Sequence, residues 1–593
     1  MNNCKVLLIA MPWNRPDFPS IQAGRLKAFL LENGIRCESS YSYLNLAEDI
    51  GEELYVYLSE TVSDVLMEGV FSSIVQKKIP GSLYQEFVDV SGLPLDIIQK
   101  IFRTCSEFIE KEYSRIKWER FSHVGFTCTF AQTWASLALA KVVSERHPQI
   151  QFIFGGNAIN NEVGRFIEQR FSFVDHLITG PGELALLDVL QNQDAPKGCR
   201  RGAVLTRQQL GVVPDYEEYF LRLEQGRFSV TPTAIIATST GCEHGRCAFC
   251  SLNMVDRYQA LSGDDIWSMV SQCVEQYPVK RIEFADTSLV AVHSDAHLSK
   301  KLATLGVEFY GEVRATLTDA KSRRLKQAGF SGVQIGIESL STPVLAAMVK
   351  TTDLVQNLYN LKLCMEYELE VGYNLILDFP GTTDEHIQQM IDILPLIVHL
   401  PPPTALCRFV LYKEAPIFRQ PGLYGISDCH PSLQYRLALG ELYGSTWPAT
   451  RYDYHCNTAP SDAILESMDS ACATWADDYD PKMSLLSVEY NNIQAIVVDR
   501  RTHSRQTYNL RGESLQCLRY CDEPRLADSL NTMFMTATIR ELVEKNLLVV
   551  DNNRVLSLPV SSRKRKMARR GRPDSEFAST TNVMENLCTL TSR

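Results

Sequence analysis

The most specific chemistry in this sequence lies on one short loop. Cys242, Cys247 and Cys250 fall in TSTGCEHGRCAFCSLN, directly after the apolar run Ala234-Ile235-Ile236-Ala237. Three thiolates so placed can hold three irons of a cubane 4Fe–4S cluster and leave the fourth iron open for a substrate-like ligand. The spacing Cys-x4-Cys-x2-Cys admits other centres. A plant-type 2Fe–2S site shares it but needs a fourth cysteine downstream, and Cys273 is the nearest. Cys273 recurs with Ile266, Met269 and Val270 at helical spacing, however, which is the pattern of a buried helix face. A zinc site completed by His244 would be a Cys3His set. Neither a zinc ribbon nor a ferredoxin needs the two hundred residues that follow.

Those residues alternate strands and helices. RIEFADTSL, VEFYGEVRATL, GVQIGIESL, VGYNLILDFPG and ALCRFVLYKEAP each read as a short apolar strand closed by polar residues or glycine. Between them lie helical patterns such as DAHLSKKLATLG and DAKSRRLKQAGF, which end on a glycine stop. Such alternation predicts a parallel sheet, and six units with function at the strand ends predict an open (β/α)6 barrel with the cysteine loop at its mouth.

With these motifs in order, residues 225–430 resemble the barrel of the radical SAM superfamily, more narrowly its cobalamin-binding branch. Phe284-Ala285-Asp286 resembles the turn near the methionine amino group, and Glu312 with Arg314 the charged pair after strand three. Gly336-Ile337-Glu338-Ser339 and Phe379-Pro380-Gly381-Thr382 match the motifs after strands four and five. The resemblance implies that S-adenosylmethionine chelates the open iron. It also implies contacts to that cofactor from Asp286, Glu312, Arg314, Glu338, Pro380 and Gly381, with Phe249 packed on the adenine.

Residues 1–210 read as a second α/β domain. KVLLIAMPW, HVGFTCTF, QIQFIFGGNAI and FVDHLITGPGE each set a buried strand before a glycine or polar loop. This is the pattern of a doubly wound, Rossmann-like sheet, whose ligand lies beyond the carboxyl ends of the strands. Gly155, Gly156, Asn157, Gly180, Gly182 and Glu183 stand at those ends. They resemble the edge of a cobalamin-binding domain. The Asp-x-His-x-x-Gly motif that would supply a histidine to cobalt is absent, and Asp295-Ala296-His297 lies in the barrel with no glycine after it. The resemblance leaves the lower side of cobalt to loops carrying Pro12, Ser20, Thr129 and Gln132. A helical insertion at about 43–119 carries no assignable motif.

After Pro431 the pattern changes. Residues 431–560 predict an α+β module ending in a helix and a hairpin, ATIRELVEKNLLVV-DNN-RVLSLPV, which resembles a winged helix. The basic, Ser/Thr-rich stretch 561–593 reads as a disordered tail.

The 593 residues carry 70 acidic and 59 basic side chains, which argues against general nucleic-acid binding. No apolar run reaches membrane-spanning length, and 17 scattered cysteines fit a reducing, cytoplasmic compartment. From about Lys5 to Val560 the chain resembles peptide-maturation radical SAM enzymes with a cobalamin domain. That implies three cofactors: a 4Fe–4S cluster, S-adenosylmethionine and cobalamin. It also implies a ribosomally made precursor peptide and a reductant such as ferredoxin or flavodoxin; the C-terminal module either holds the leader of that peptide or is a plain structural cap on the barrel. Three functions follow: radical C-methylation at an unactivated carbon, radical carbon–carbon crosslinking or another rearrangement without methyl transfer, or non-catalytic peptide binding. Product mass separates the first two.

Overall fold

The computed structural model describes residues 5–192, 195–254, 258–440, 448–502 and 504–569. The first sheet holds β1 (Lys5–Ala10), β2 (Arg36–Tyr41), β3 (His123–Thr127), β4 (Gln151–Gly155), β5 (His176–Thr179) and β6 (Gly198–Arg201). All pairs are parallel, in the order β2-β1-β3-β4-β5-β6. The inner strands are Val/Ile/Leu/Phe runs buried on both faces, as helix-covered parallel strands must be. The edges β2 (RCESSY) and β6 (GCRR) are more polar, which fits strands paired on one side only. Strand order reverses between β1 and β3, so the loops after these two strands part and open a crevice.

Between β2 and β3 stand five helices, Ser42–Ile50, Glu52–Thr61, Asp64–Gln76, Leu83–Ser91 and Leu95–Arg115. The third packs against Thr133–Arg146, the helix after β3, and against Leu433–Leu439, beyond the barrel. Asp64 pairs with Arg451, and the Ser63 hydroxyl donates to Gln434 at 3.0 Å. The insertion therefore ties the first sheet to the region after the barrel.

The second parallel sheet begins at β7 (Thr233–Ile236). A small hairpin, β8 (Ser239–Thr240) and β9 (Gln259–Ala260), brackets the cysteine loop. Then come β10 (Arg281–Phe284), β11 (Glu308–Arg314), β12 (Gly332–Gly336), β13 (Glu370–Gly372), β14 (Asn374–Ile376) and β15 (Ala405–Cys407). β7, β10, β11, β12 and β13 pair in parallel in that order. β14 continues β13, bridges to Glu338 and pairs with β15. This is the six-unit open barrel expected. On β10, Ile282 and Phe284 are buried, and Phe284 stacks with Phe309 and Phe330. Arg281 and Glu283 alternate with them on the other face. Asp295 caps the helix Ala296–Leu302 by accepting from the His297 and Leu298 amides, so Asp295-Ala296-His297 is a capping turn.

Farther on, Leu486–Tyr490, Gln494–Asp499 and Gln506–Arg511 form antiparallel hairpins, joined on one edge by Val560–Ser561. Helix Gly512–Tyr520, strand Arg525–Leu526, helices Ala527–Met533 and Thr536–Glu544, and hairpin Leu548–Asp551/Arg554–Ser557 follow. The hairpin turns through Asn552 (φ 43°) and Asn553 (φ 60°), left-handed positions that asparagine tolerates.

One expectation is corrected. The start of the supposed disordered tail is a helix, Ser562–Arg569, docked through an ion pair with a buried carboxylate. Lys564 Nζ lies 2.8 Å from fully buried Glu366 and 2.9 Å from Asp319. Residues 570–593 lie outside the described residues. Among the described residues no helix is long and apolar enough to cross a membrane.

Candidate active site

The cysteine loop leaves the carboxyl end of β7 and is braced before it reaches the first thiol. Asp286, just past β10, is almost fully buried and accepts from the Thr238 amide at 3.0 Å and hydroxyl at 2.8 Å, and from the Ser239 hydroxyl. Burial raises its pKa, while these donors pull it down. Asp286, expected from sequence near the methionine amino group, here braces Thr238 and Ser239, which lead into the cysteine loop.

Beyond the hairpin the loop lies on two neighbouring turns. The Ala248 amide donates to Met348 O at 3.0 Å, the Ile417 amide to Ala248 O at 3.0 Å, and His244 Nε2 lies 3.0 Å from Val349 O. His244 thus docks the loop with one ring nitrogen, and burial lowers its pKa. Cys273 is wholly buried in the helix Gly263–Gln276, away from ligand duty. Phe249 joins an apolar cluster with Phe379 and Met348. Gly381 (φ 93°) takes a left-handed turn after Phe379-Pro380, its amide facing Thr458 O at 3.4 Å.

Cys242, Cys247 and Cys250 are all half-buried. Burial pushes the Cys247 thiol up to about 11, and the Lys350 ammonium works against that shift. Lys350 was not singled out from sequence, because a lysine a hundred residues from the loop carries no local signal. It donates to Gly336 O at 2.8 Å and lies 3.4 Å from Glu338 Oε1. Glu338 itself holds φ 64°, a strained backbone for a residue with a side chain. Arg314 bonds Glu243 of the cysteine loop at 3.1 Å and Thr351 at 2.8 Å. Glu312 is raised by burial and then by Glu338 and Asp286. The barrel mouth therefore gathers three thiols, two cations and a row of carboxylates.

Among the described residues no three His, Cys, Asp or Glu side chains gather around one point as a single ion requires. A cubane spreads its cysteines over separate irons and makes no such demand. Three thiols on one half-exposed loop fit that donor set.

A cavity of about 1250 Å³ lies between this mouth and the first sheet. Of the strand-end residues expected at a ligand, Gly155, Gly156, Asn157, Gly180, Gly182 and Glu183 line it, and Pro12, Ser20, Thr129 and Gln132 do not. Ser20 instead caps the helix Ile21–Glu32. Gln132 accepts from Thr129 and donates to Met11 O at 2.7 Å, so both side chains are consumed within the loop wall. Glu183 pairs with Arg25 at 3.2 Å. Gly156 answers a backbone demand first: at φ 115°, an added Cβ would stand 2.2 Å from Cys128 O. The far wall comes from the barrel, at Ala237, Thr240, Ser251, Leu252 and Ala285, and from the helical insertion, at Asp64, Val65, Met67 and Glu68. Glu68 is held by the Thr133 and Trp134 amides at 2.9 and 2.8 Å.

Residues 236–394 match the family model of the radical SAM superfamily. The chain carries a radical SAM domain, the kind that holds a 4Fe–4S cluster and S-adenosylmethionine. An uncharacterized methyltransferase of Pyrococcus horikoshii is 23% identical over 289 residues, which is 45% of this chain; the match spans 62% of the length of that relative. The fold is also that of two solved structures among those it resembles. The cobalamin-dependent S-adenosylmethionine radical enzyme OxsB, with aqua-cobalamin bound, superposes with a TM-score of 0.52 at 13% identity, covering 80% of this chain and 67% of its own. The radical S-adenosylmethionine methyltransferase TsrM from Kitasatospora setae, with cobalamin and a 4Fe–4S cluster, gives 0.50 at 11% identity, covering 79% and 90%.

Proposed function

We propose that this chain is a cobalamin-dependent radical SAM methyltransferase acting on an unactivated carbon of a ribosomally made precursor peptide. The supporting observation is the shared cavity, in which the strand ends of the first sheet face the barrel residues beside the cysteine loop. Its volume and its glycine-rich edge suit a flat, bulky cofactor, and OxsB and TsrM, which share the fold, hold cobalamin. When bound, cobalamin supplies a transferable methyl group, and the cluster with S-adenosylmethionine supplies the hydrogen-abstracting radical.

The chain's own residues divide the work. Cys242, Cys247 and Cys250 hold the cluster. Glu312, Glu338 and Arg314 orient S-adenosylmethionine through hydrogen bonds and charge, with Phe249, Pro380 and Gly381 shaping its walls. Gly155, Gly156, Asn157, Gly180, Gly182 and Glu183 form the cobalamin edge. The helical insertion supplies one wall of the cavity and so narrows the access of water to a reactive centre. The helices and hairpin of 512–557 have the element order of a winged helix, and in this reading they hold the leader by strand addition or in a groove. A ferredoxin or flavodoxin supplies the electron.

The test uses reconstituted enzyme, candidate precursor peptides sought among the short reading frames near its gene, a reductant and methyl-deuterated S-adenosylmethionine. Deuterated methyl in the peptide together with 5′-deoxyadenosine is expected. A peptide lighter by the hydrogens of a crosslink and free of deuterium would contradict methylation.

A further inference from the structure

The loop between β3 and the helix Thr133–Arg146 is buried at every position but one. Cys128, Thr129, Ala131 and Gln132 are each no more than 7% exposed, and Phe130 between them is 70% exposed. Its backbone is left-handed, φ 46°, where a bulky side chain is an outlier. The surroundings over-determine that conformation. On the near side, the Cys128 amide donates to Gly155 O and Cys128 O accepts from the Ala158 amide at 3.1 Å. On the far side, Gln132 Oε1 accepts from the Thr129 amide at 3.0 Å, Gln132 Nε2 donates to Met11 O, and Glu68 holds the next two amides. A strained residue persists where its neighbours enforce it, and such residues cluster at ligand sites.

The ring so displayed lines the large cavity, on one of the two loops that part at the strand-order reversal. A fold that accepts both backbone strain and an exposed ring gains nothing from them by itself. A flat apolar ligand face would cover the ring and recover the burial. We propose that Phe130 is the aromatic platform on which one face of the corrin ring rests. The proposal depends on the cobalamin reading above and adds a residue to it.

The test titrates full-length protein, purified anaerobically without cobalamin, with hydroxocobalamin, and reads bound and free cofactor by absorbance after ultrafiltration. Phe130→Gly suits the left-handed backbone, so the cofactor-free thermal midpoint stays level or rises while affinity falls about tenfold or more. Phe130→Trp keeps the affinity. Phe130→Leu retains the strained backbone and an apolar side chain but no flat face. It weakens binding alongside the glycine variant, and decides the matter if that variant folds poorly. Leucine and glycine variants that bind as tightly as the unmodified chain overturn the platform. An unmodified chain that takes up its cluster but no hydroxocobalamin overturns the cofactor reading itself, a result distinct from any contrast among the variants.

Discussion

Asp286 and Thr238 are joined twice, the carboxylate accepting from the Thr238 amide at 3.0 Å and from its hydroxyl at 2.8 Å. Thr238 lies four residues before Cys242, so β10 sets where the cluster loop begins. Asp286→Ala strands a buried amide and two hydroxyls, at about 1–3 kcal/mol per unsatisfied group. The expected outcome is a barrel with unchanged circular dichroism that retains much less iron and sulfide after reconstitution. Full cluster content in this variant would show that the brace is dispensable.

Gly156 and Gly182 separate backbone from ligand demands. Gly156→Ala puts a methyl group into the Cys128 backbone at positive φ and should cost at least about 2 kcal/mol, read as a lower thermal midpoint. At Gly182 the nearest atom to an added Cβ is Leu26 Cδ2 at 3.6 Å, an ordinary contact. Gly182→Ala should therefore leave the midpoint unchanged and alter only cofactor uptake.

Lys564 tests the corrected C-terminal boundary. Removing its charge leaves Glu366 buried with Lys362 as its remaining cation, at about 3 kcal/mol. Denaturant unfolding of Lys564→Met should show that loss, and adding Glu366→Gln should recover most of it. Independent effects of the two substitutions would refute the pairing.

Glu283, on β10, carries a pH dependence. Burial and then Asp17 push its carboxyl up to about 7, while Arg15 and Arg281 pull it down and Glu312 adds to the rise. A carboxyl raised in the fold favours the protonated folded state. The stabilisation is complete below the unfolded value and is lost as pH rises through about 7. Glu283→Gln should thus be more stable than the unmodified chain at pH 8 and lose that advantage toward pH 5. An advantage independent of pH would mean that Glu283 does not titrate in this range.

Much of this was legible in the sequence, for physical reasons. Barrel strands such as RIEF and GVQIG alternate or cluster apolar residues between clear stops, and the cysteine spacing is a short-range signal. β2 and β6 were not legible, because polar edge strands lack the apolar run that marks their neighbours. Thr129 and Gln132 were expected to face a ligand, yet they bond each other, since loop polarity does not reveal whether a side chain turns outward or closes the loop. The Ser562–Arg569 helix read as a solvated charge run because its partner, Glu366, is distant in sequence. The insertion's role as a cavity wall needed tertiary structure, as helical periodicity marks a buried face without saying what it faces.

The three cysteines carry the assigned chemistry most directly. Anaerobically reconstituted protein, reduced and given S-adenosylmethionine, should show a 4Fe–4S signal in electron paramagnetic resonance and release 5′-deoxyadenosine. Replacing Cys242, Cys247 and Cys250 together with alanine should abolish both, while Cys273→Ala leaves both intact. A triple variant that still makes 5′-deoxyadenosine would contradict the assignment.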